Sequence, residues 1–385
     1  MNGSTTYEGV PVLPEQARSR VRIGFWGAVF ILIMAAGAVA TWFRFFHGLG
    51  ASTNLSDDFP WGLWIGFDVL CGVGLAAGGF TMAATVHLFN LRKMKPVARP
   101  SILTAFLGYV LVIFALAYDL GQPWRIWHPL IMWNPHSVMF EVGWCVTLYT
   151  TVLALEFSPM LFERLRWDWA LRIVRSIMMP LVVMGVILSF LHQSSLGSLF
   201  LILPNKLHPL WYTPLLPFLF LLSAIAVGCS MVIFESFLSR RAFGHKLQLP
   251  VLVDLGRVAL VVLVVYGLLR FLDMRDRGAL GALRIGEPEG QMFLLEVGLG
   301  LLAPLLVFAV PRWRRSERGL FLGSTLVILG FVLNRLNVSV TGMTRAMGVE
   351  YFPSWMEAAV TMAVVAAGFF LFRLAVKNLP VFERH

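Results

Sequence analysis

Arg44, Asp68, Glu141 and His192 each stand inside or at the end of a long apolar run, and helix direction puts all four near one side of the molecule. Glu156, Glu235, Asp254 and Arg257 stand in other apolar runs, nearer the opposite side. An ionisable side chain within a bilayer costs about 2.5–3.5 kcal/mol on insertion scales, so each is a functional candidate. The first set suits coupled proton and electron chemistry. A quinone needs hydrogen-bond partners for two carbonyl oxygens, and groups that give or take protons as its charge changes. One histidine and two carboxylates at a shared depth supply both. The competing account is structural, an Arg44–Asp68 ion pair closing the bundle. The second set fits a proton relay from the other side. Its competing account is pairing with the basic loops next door.

Metal chemistry finds little support in the same residues. Cys71, Cys145 and Cys229 are isolated in apolar runs, with no Cys-x-x-Cys pair for an iron–sulfur cluster or zinc. Haem of the b type needs axial histidines on facing helices at matching depth. Of the eight histidines only His87 and His192 fall well within apolar runs, at opposite ends of the membrane. The expectation is therefore no metal site, no haem and no cluster in this chain. Electrons would have to come from a cluster on a partner subunit.

The elements that position these residues follow from composition. Of 385 residues, 58% are hydrophobic and only 14% charged, against roughly 45–50% and 25% in soluble domains. Mean hydropathy is +0.76. A spanning helix needs about 20 apolar residues. Ten runs qualify, near 23–46, 60–90, 100–119, 136–157, 172–193, 214–238, 250–271, 291–310, 319–335 and 355–376. They are apolar all round, unlike the alternating strands of a barrel. The expected fold is all-α, and its helix count suits two four-helix bundles, helices two to five and six to nine, plus two extra helices. Gly74 and Gly78 form a small-xxx-small pair for close helix approach, with room left near Asp68 for a ligand ring.

The net charge of +10 would suggest nucleic acid in a soluble protein. Here 21 of the 31 Lys and Arg fall in alternate loops and both tails, and nine fall on the other side. The positive-inside rule then makes both tails, 1–22 and 377–385, cytoplasmic around a membrane domain at 23–376. Polar residues 1–20 do not read as a secretory signal. Outer loops are longer and rich in Trp, Pro and Gly, with Trp124, Trp127 and Trp133 in one of them. Interface belts use tryptophan in this way. So do docking platforms for a partner outside the membrane.

Several runs resemble a known family. Phe59-Pro60-Trp61-Gly62-Leu63-Trp64-Ile65-Gly66-Phe67-Asp68 is similar to the second helix of the polysulfide reductase/NrfD-like membrane subunits. Ser137-Val138-Met139-Phe140-Glu141, Leu155-Glu156-Phe157, His192-Gln193-Ser194-Ser195, His208-Pro209-Leu210-Trp211 and Val232-Ile233-Phe234-Glu235 resemble its ten-helix hydrogenase-2 branch, the HybB type. The Asn134-Pro135-His136 lead-in departs from the pattern.

The resemblance implies a haem-free, multi-pass subunit in the bacterial inner membrane. It implies electron exchange between a periplasmic ferredoxin-like iron–sulfur subunit and menaquinone or ubiquinone. In the hydrogenase branch a nickel–iron large subunit and a cluster-bearing small subunit complete the complex. The family's quinone site lies in the first bundle near the periplasm, which carries over to Asp68, Glu141 and His192. A sister branch serves polysulfide reductase and sulfite-reductase-associated complexes. A secondary transporter with ten helices and buried carboxylates is the rival from another class. A purely structural anchor is a further one.

Overall fold

A computed structural model describes residues 24–59, 61–202 and 205–382, and ten of its helices are long and apolar enough to cross a membrane. They are α1 (Phe25–His47), α2 (Trp64–Val86), α3 (Lys95–Asp119), α4 (Val138–Leu165), α5 (Met178–Ser198), α6 (Leu216–Phe243), α7 (Leu249–Asp276), α8 (Pro288–Ala309), α9 (Glu317–Met347) and α10 (Trp355–Asn378). No strand occurs among the described residues. Helices satisfy their own backbone groups, which hydrocarbon cannot. The tail residues before 24, including Arg18, Arg20 and Arg22, lie outside the described residues, as does Arg384.

Local sequence sets several helix ends. Ser137 and Ser316 start α4 and α9 by accepting from the backbone N–H groups of Phe140 and Gly319. Ser354 and Glu357 form a reciprocal capping box at the start of α10. Gly244 closes α6 in the left-handed conformation, at φ 74°.

Several boundaries differ from the sequence expectation by five residues or more, the fourth span for example ending at Leu165 instead of 157, and two of the differences have a clear local cause. The fifth span starts at Met178 instead of 172, because Asp168–Ser176 forms a separate amphipathic helix. Ala170 and Val174 of that helix are buried, while Arg172 and Arg175 are exposed. The ninth span runs to Met347 instead of 335. Asn334 and Arg335 end the expected span and Asn337 falls beyond it, but all three are buried inside the bundle. A wide π turn at Asn337–Thr341 lets the helix continue past them.

The expected pair of bundles is present. Helices α2, α3, α4 and α5 close a ring of neighbours, and α6, α7, α8 and α9 close another. The bundles meet where α6 packs on α2 and α5, and where α9 packs on α2. A Cβ on Gly228 of α6 would meet the Ala77–Gly78 backbone of α2 at 2.9–3.0 Å, so only glycine allows this approach. Gly74 leaves no room for a ligand ring, because the Phe331 ring of α9 fills that space. Helices α1 and α10 pair with each other and lie against α3 and the start of α2. Leu32, Leu306 and Phe369 are exposed, as lipid-facing side chains would be.

The basic loops gather at the face where α1 begins and α10 ends, called here the terminal face. There Arg99 and Arg175 bind Glu163 at 2.9 and 3.0 Å, and Arg240 binds Glu317 at 2.7 Å. The opposite, loop face carries the longer connections.

Candidate functional site

The interior of the first bundle holds an unusual set of polar atoms. Tyr109 of α3, Tyr149 of α4, and Ser189 and His192 of α5 converge there. The Tyr109 and Tyr149 rings meet edge-on at 4.7 Å, and Tyr109 lies 5.7 Å from the His192 ring. The Tyr149 and Ser189 hydroxyls face one another without reaching hydrogen-bond geometry. His192 is 0% exposed. Both its ring nitrogens and the three hydroxyl oxygens are buried without a protein partner. Each such atom costs about 1–3 kcal/mol if left dry. The five together approach the whole net stability of a typical domain, about 5–15 kcal/mol. Water or substrate oxygens at these atoms would recover that cost.

Helix geometry explains the convergence. Ser189 and His192 are three residues apart and share a face of α5. Gln193 donates to the Val73 carbonyl of α2 at 3.3 Å, which fixes the rotation of α5. On α4, Glu156 lies two turns beyond Tyr149 on the same buried face. Its Oε1 lies 3.3 Å from where a Cβ on Gly185 would be, so glycine at 185 makes room for the carboxylate. His192 lies roughly 9 Å below the loop-face end of α5, at 1.5 Å per residue. A polar column therefore descends from His192 through the tyrosines and Ser189 to Glu156.

The other candidates fall around this column unevenly. Glu141 is exposed at the loop-face rim and accepts from Ser195 Oγ at 2.5 Å, one turn above His192 on α5. Glu235 of α6 accepts from Thr104 Oγ1 of α3 at 2.7 Å. It also lines a cavity of about 500 Å³ with Ser239 and His245 at the terminal face. Asp254 sits at that face in an exposed cluster, bound to Lys93 and, at 2.7 Å, to Arg257. That ion pairing is the competing structural account of Asp254 and Arg257. The side chain of His87 lies outside the described residues.

Arg44 and Asp68 form a separate locality, and no described hydrogen bond or ion pair joins it to His192 or Glu141. They do not pair with each other either. Arg44 donates to the Tyr118 and Leu120 carbonyls at 2.5 Å each. These carbonyls belong to the end of α3, where backbone acceptors lack intrahelical donors and carry partial negative charge. Asp68 is buried and accepts from Thr361 Oγ1 of α10 at 2.8 Å. Close by, the Glu357 carboxylate accepts from the Asn54 and Ser354 N–H groups and from the Tyr351 hydroxyl. Burial and the Glu357 carboxylate push the Tyr351 phenol pKa up. The Leu63 N–H donates to Tyr351 at 2.8 Å, tying α10 to the start of α2.

The sequence places Glu296 just inside the outer end of its span but does not show the polar core that surrounds it. Glu296 of α8 accepts four bonds, from Arg270 (2.5 Å), Asn334 (2.8 Å), Trp211 (2.8 Å) and Asn337 (2.9 Å). The signal for its partners was the Asn334-Arg335-Leu336-Asn337 run, which the expected span cuts at 335. Tyr109 and Tyr149 were missed because a lone tyrosine in an apolar run looks like ordinary core.

Among the described residues no group of three or more His, Cys, Asp or Glu is placed to hold a metal ion. The three cysteines are free and buried. Against known proteins, residues 51–348 match the family model described as polysulphide reductase, NrfD. The chain belongs to the NrfD family. The matched stretch contains α2–α9, both four-helix bundles, while α1 and α10 lie outside it. The column and Asp68 therefore lie within the family region, and Arg44, Thr361 and Glu357 lie beyond it. Among relatives, the probable Ni/Fe-hydrogenase 2 b-type cytochrome subunit of Escherichia coli K12 is 36% identical, covering 88% of this chain and 87% of that protein. The integral membrane subunit of a menaquinone reductase from Nitratidesulfovibrio vulgaris Hildenborough is 28% identical, covering 93% of this chain and 92% of that one. A further protein of the same bacterium, without a descriptive name, is 39% identical, covering 92% and 93%.

Proposed function

We propose that this chain is the quinone-reactive membrane subunit of a respiratory complex, reducing quinone with two electrons and two protons or running the reverse. The observation that carries the reading is the set of five unpartnered polar atoms around His192, continuous with Glu156. Quinone is the substrate, with its head group between the Glu141 rim and His192. His192, Tyr109 and Tyr149 orient its oxygens and hand on protons. Glu156 supplies protons from the terminal face, with Glu235 and its cavity as the entry. Asp68 and Arg44 shape the neighbouring wall where α10 and α1 meet α2 and α3. The menaquinone reductase relative supports menaquinone as substrate.

Electrons enter from a periplasmic ferredoxin-like iron–sulfur subunit docked on the loop face, where Trp124, Trp127, Ile131 and Trp133 are exposed. The Escherichia coli relative supports a nickel–iron hydrogenase, with its large and small subunits, as their origin. This chain then needs no haem of its own. The positive-inside count supports a cytoplasmic terminal face, and the membrane-subunit relatives from bacteria support a bacterial inner membrane. Protons drawn from that face against electrons from the other would move charge across the membrane, worth about 2.3 kcal/mol per charge per 100 mV.

The test is purification of the tagged chain from its own host. Iron–sulfur and nickel–iron proteins should come with it, and the assembly should reduce a quinone analogue. His192→Ala should abolish that reduction while leaving assembly intact. A chain that comes out alone and moves a solute would instead be a transporter. Full activity in His192→Ala would leave only an anchor. A molybdenum or sulfite reductase in place of nickel–iron would move it to the sulfur branch.

A further inference from the structure

We propose that the terminal face binds an anionic phospholipid where α4 turns into the short helix Asp168–Ser176, its phosphate taken by Arg166 and Arg172 and its acyl chains by Trp169 and Ile173. The apolar side of this corner is exposed. Trp169 and Ile173 stand one turn apart and are 63% and 53% exposed. The Ile177 N–H bonds to the Ile173 carbonyl at 3.3 Å and the Leu181 N–H to the Ile177 carbonyl at 3.1 Å, so the short helix runs on into α5. The exposed stripe continues there through Ile177, Met184 and Ile187, on one face of a spanning helix. Trp169 therefore ends a lipid-facing stripe, where tryptophan ordinarily meets headgroups.

The charged side is positive in excess. Residues 163–177 hold four arginines and two carboxylates. Glu163 is already shared by Arg175 and by Arg99 of α3, at 3.0 and 2.9 Å. Arg164 Nε donates to the Asn378 carbonyl at the end of α10 at 3.1 Å, beside the exposed Lys377. Arg166 and Arg172 make no ion pair among the described residues, and only Asp168 remains to offset them. Arg172 Nε donates to the Asp168 carbonyl at 3.4 Å, which brings its guanidinium back to the first turn, two residues along the chain from Arg166. Arg166 itself holds a left-handed backbone, at φ 58°, where α6 uses Gly244. Arginine is more strained than glycine in that conformation, so the corner keeps a charge despite the strain.

The two sides together define the occupant. Guanidinium groups take phosphate oxygens through paired charge-assisted bonds. The exposed Trp169 and Ile173 side chains need an apolar cover. A phospholipid supplies both. The excess of arginine selects an anionic headgroup, because a zwitterionic one brings its own cation to the corner. The site lies outside the His192 column, so it stands or falls independently of quinone chemistry.

The experiment titrates the purified complex, in mixed micelles, with phosphatidylglycerol at constant total lipid, phosphatidylcholine making up the balance. Native mass spectrometry should show a saturable phosphatidylglycerol adduct that phosphatidylcholine does not replace. Arg166→Gln/Arg172→Gln should weaken that adduct roughly 30-fold, about a factor of five per arginine. Arg312→Gln/Arg318→Gln, on another basic loop of the terminal face, should leave it unchanged. A photoactivatable phosphatidylglycerol should label the peptide that contains Trp169. Equal loss in both double variants would reduce the site to the general attraction of a basic face and overturn the proposal. So would an adduct indifferent to headgroup charge, or a Trp169 peptide shielded from the label by a protein subunit of the complex.

Discussion

Removing two hydroxyls tests the reading of the first bundle most directly. In Tyr109→Phe/Tyr149→Phe the rings, and with them the 4.7 Å edge contact, are kept. Only two oxygens without protein partners are lost. If the interior is dry, each oxygen costs about 1–3 kcal/mol, so the double variant should gain roughly 2–6 kcal/mol. If water or substrate oxygens serve these hydroxyls, each deletion instead removes a hydrogen bond worth about 0.5–1.5 kcal/mol. The column reading therefore expects a melting temperature that is unchanged or lower. It also expects quinone reduction to fall by at least ~10², the lower end of what a positioned acid or base contributes. Thermal unfolding of the purified complex and its turnover with a quinone analogue measure both. A double variant that is several degrees more stable and fully active would refute the reasoning, because the hydroxyls would then be dry and idle.

Further outcomes follow from other parts of the structure. Glu156→Gln should cut quinone-linked turnover by ~10² or more with assembly intact, since the amide keeps the shape beside Gly185 but carries no exchangeable acid. Asp254→Asn, in an exposed ion cluster, should cost under ~1 kcal/mol and leave turnover near normal, as turnover assays and thermal unfolding would show. Glu296→Leu strands Arg270 in the bundle and should cost about 3–5 kcal/mol, seen as loss of monodisperse protein on size-exclusion chromatography. Gly228→Leu should separate the two bundles and abolish folded expression, whereas Gly281→Leu, in open space on the loop face, should not.

Much of the molecule is legible one residue at a time. Span number, helix class and the partition of the basic residues depend on local hydropathy and loop composition, which act over about 20 residues. His192 and Glu156 stood out for the same reason, as ionisable groups among apolar neighbours. What the sequence left open depends on helix rotation and on which helices meet. Arg44 and Asp68 share a depth with Glu141 and His192, yet depth alone does not pair them. The orphan carbonyls at the end of α3 take Arg44, and Thr361, almost 300 residues away in the chain, takes part of Asp68. Tyr109 and Tyr149 become notable only when α3 and α4 turn them toward the same histidine. Arg335 closes the expected span, and only packing shows it buried against Asn334, Ser223 and two phenylalanines. Hydropathy is a property of a segment, and partnership is a property of packed faces. The sequence by itself determined the ten spans and their isolated charges; only the tertiary structure decided which polar groups find partners in the protein and which do not.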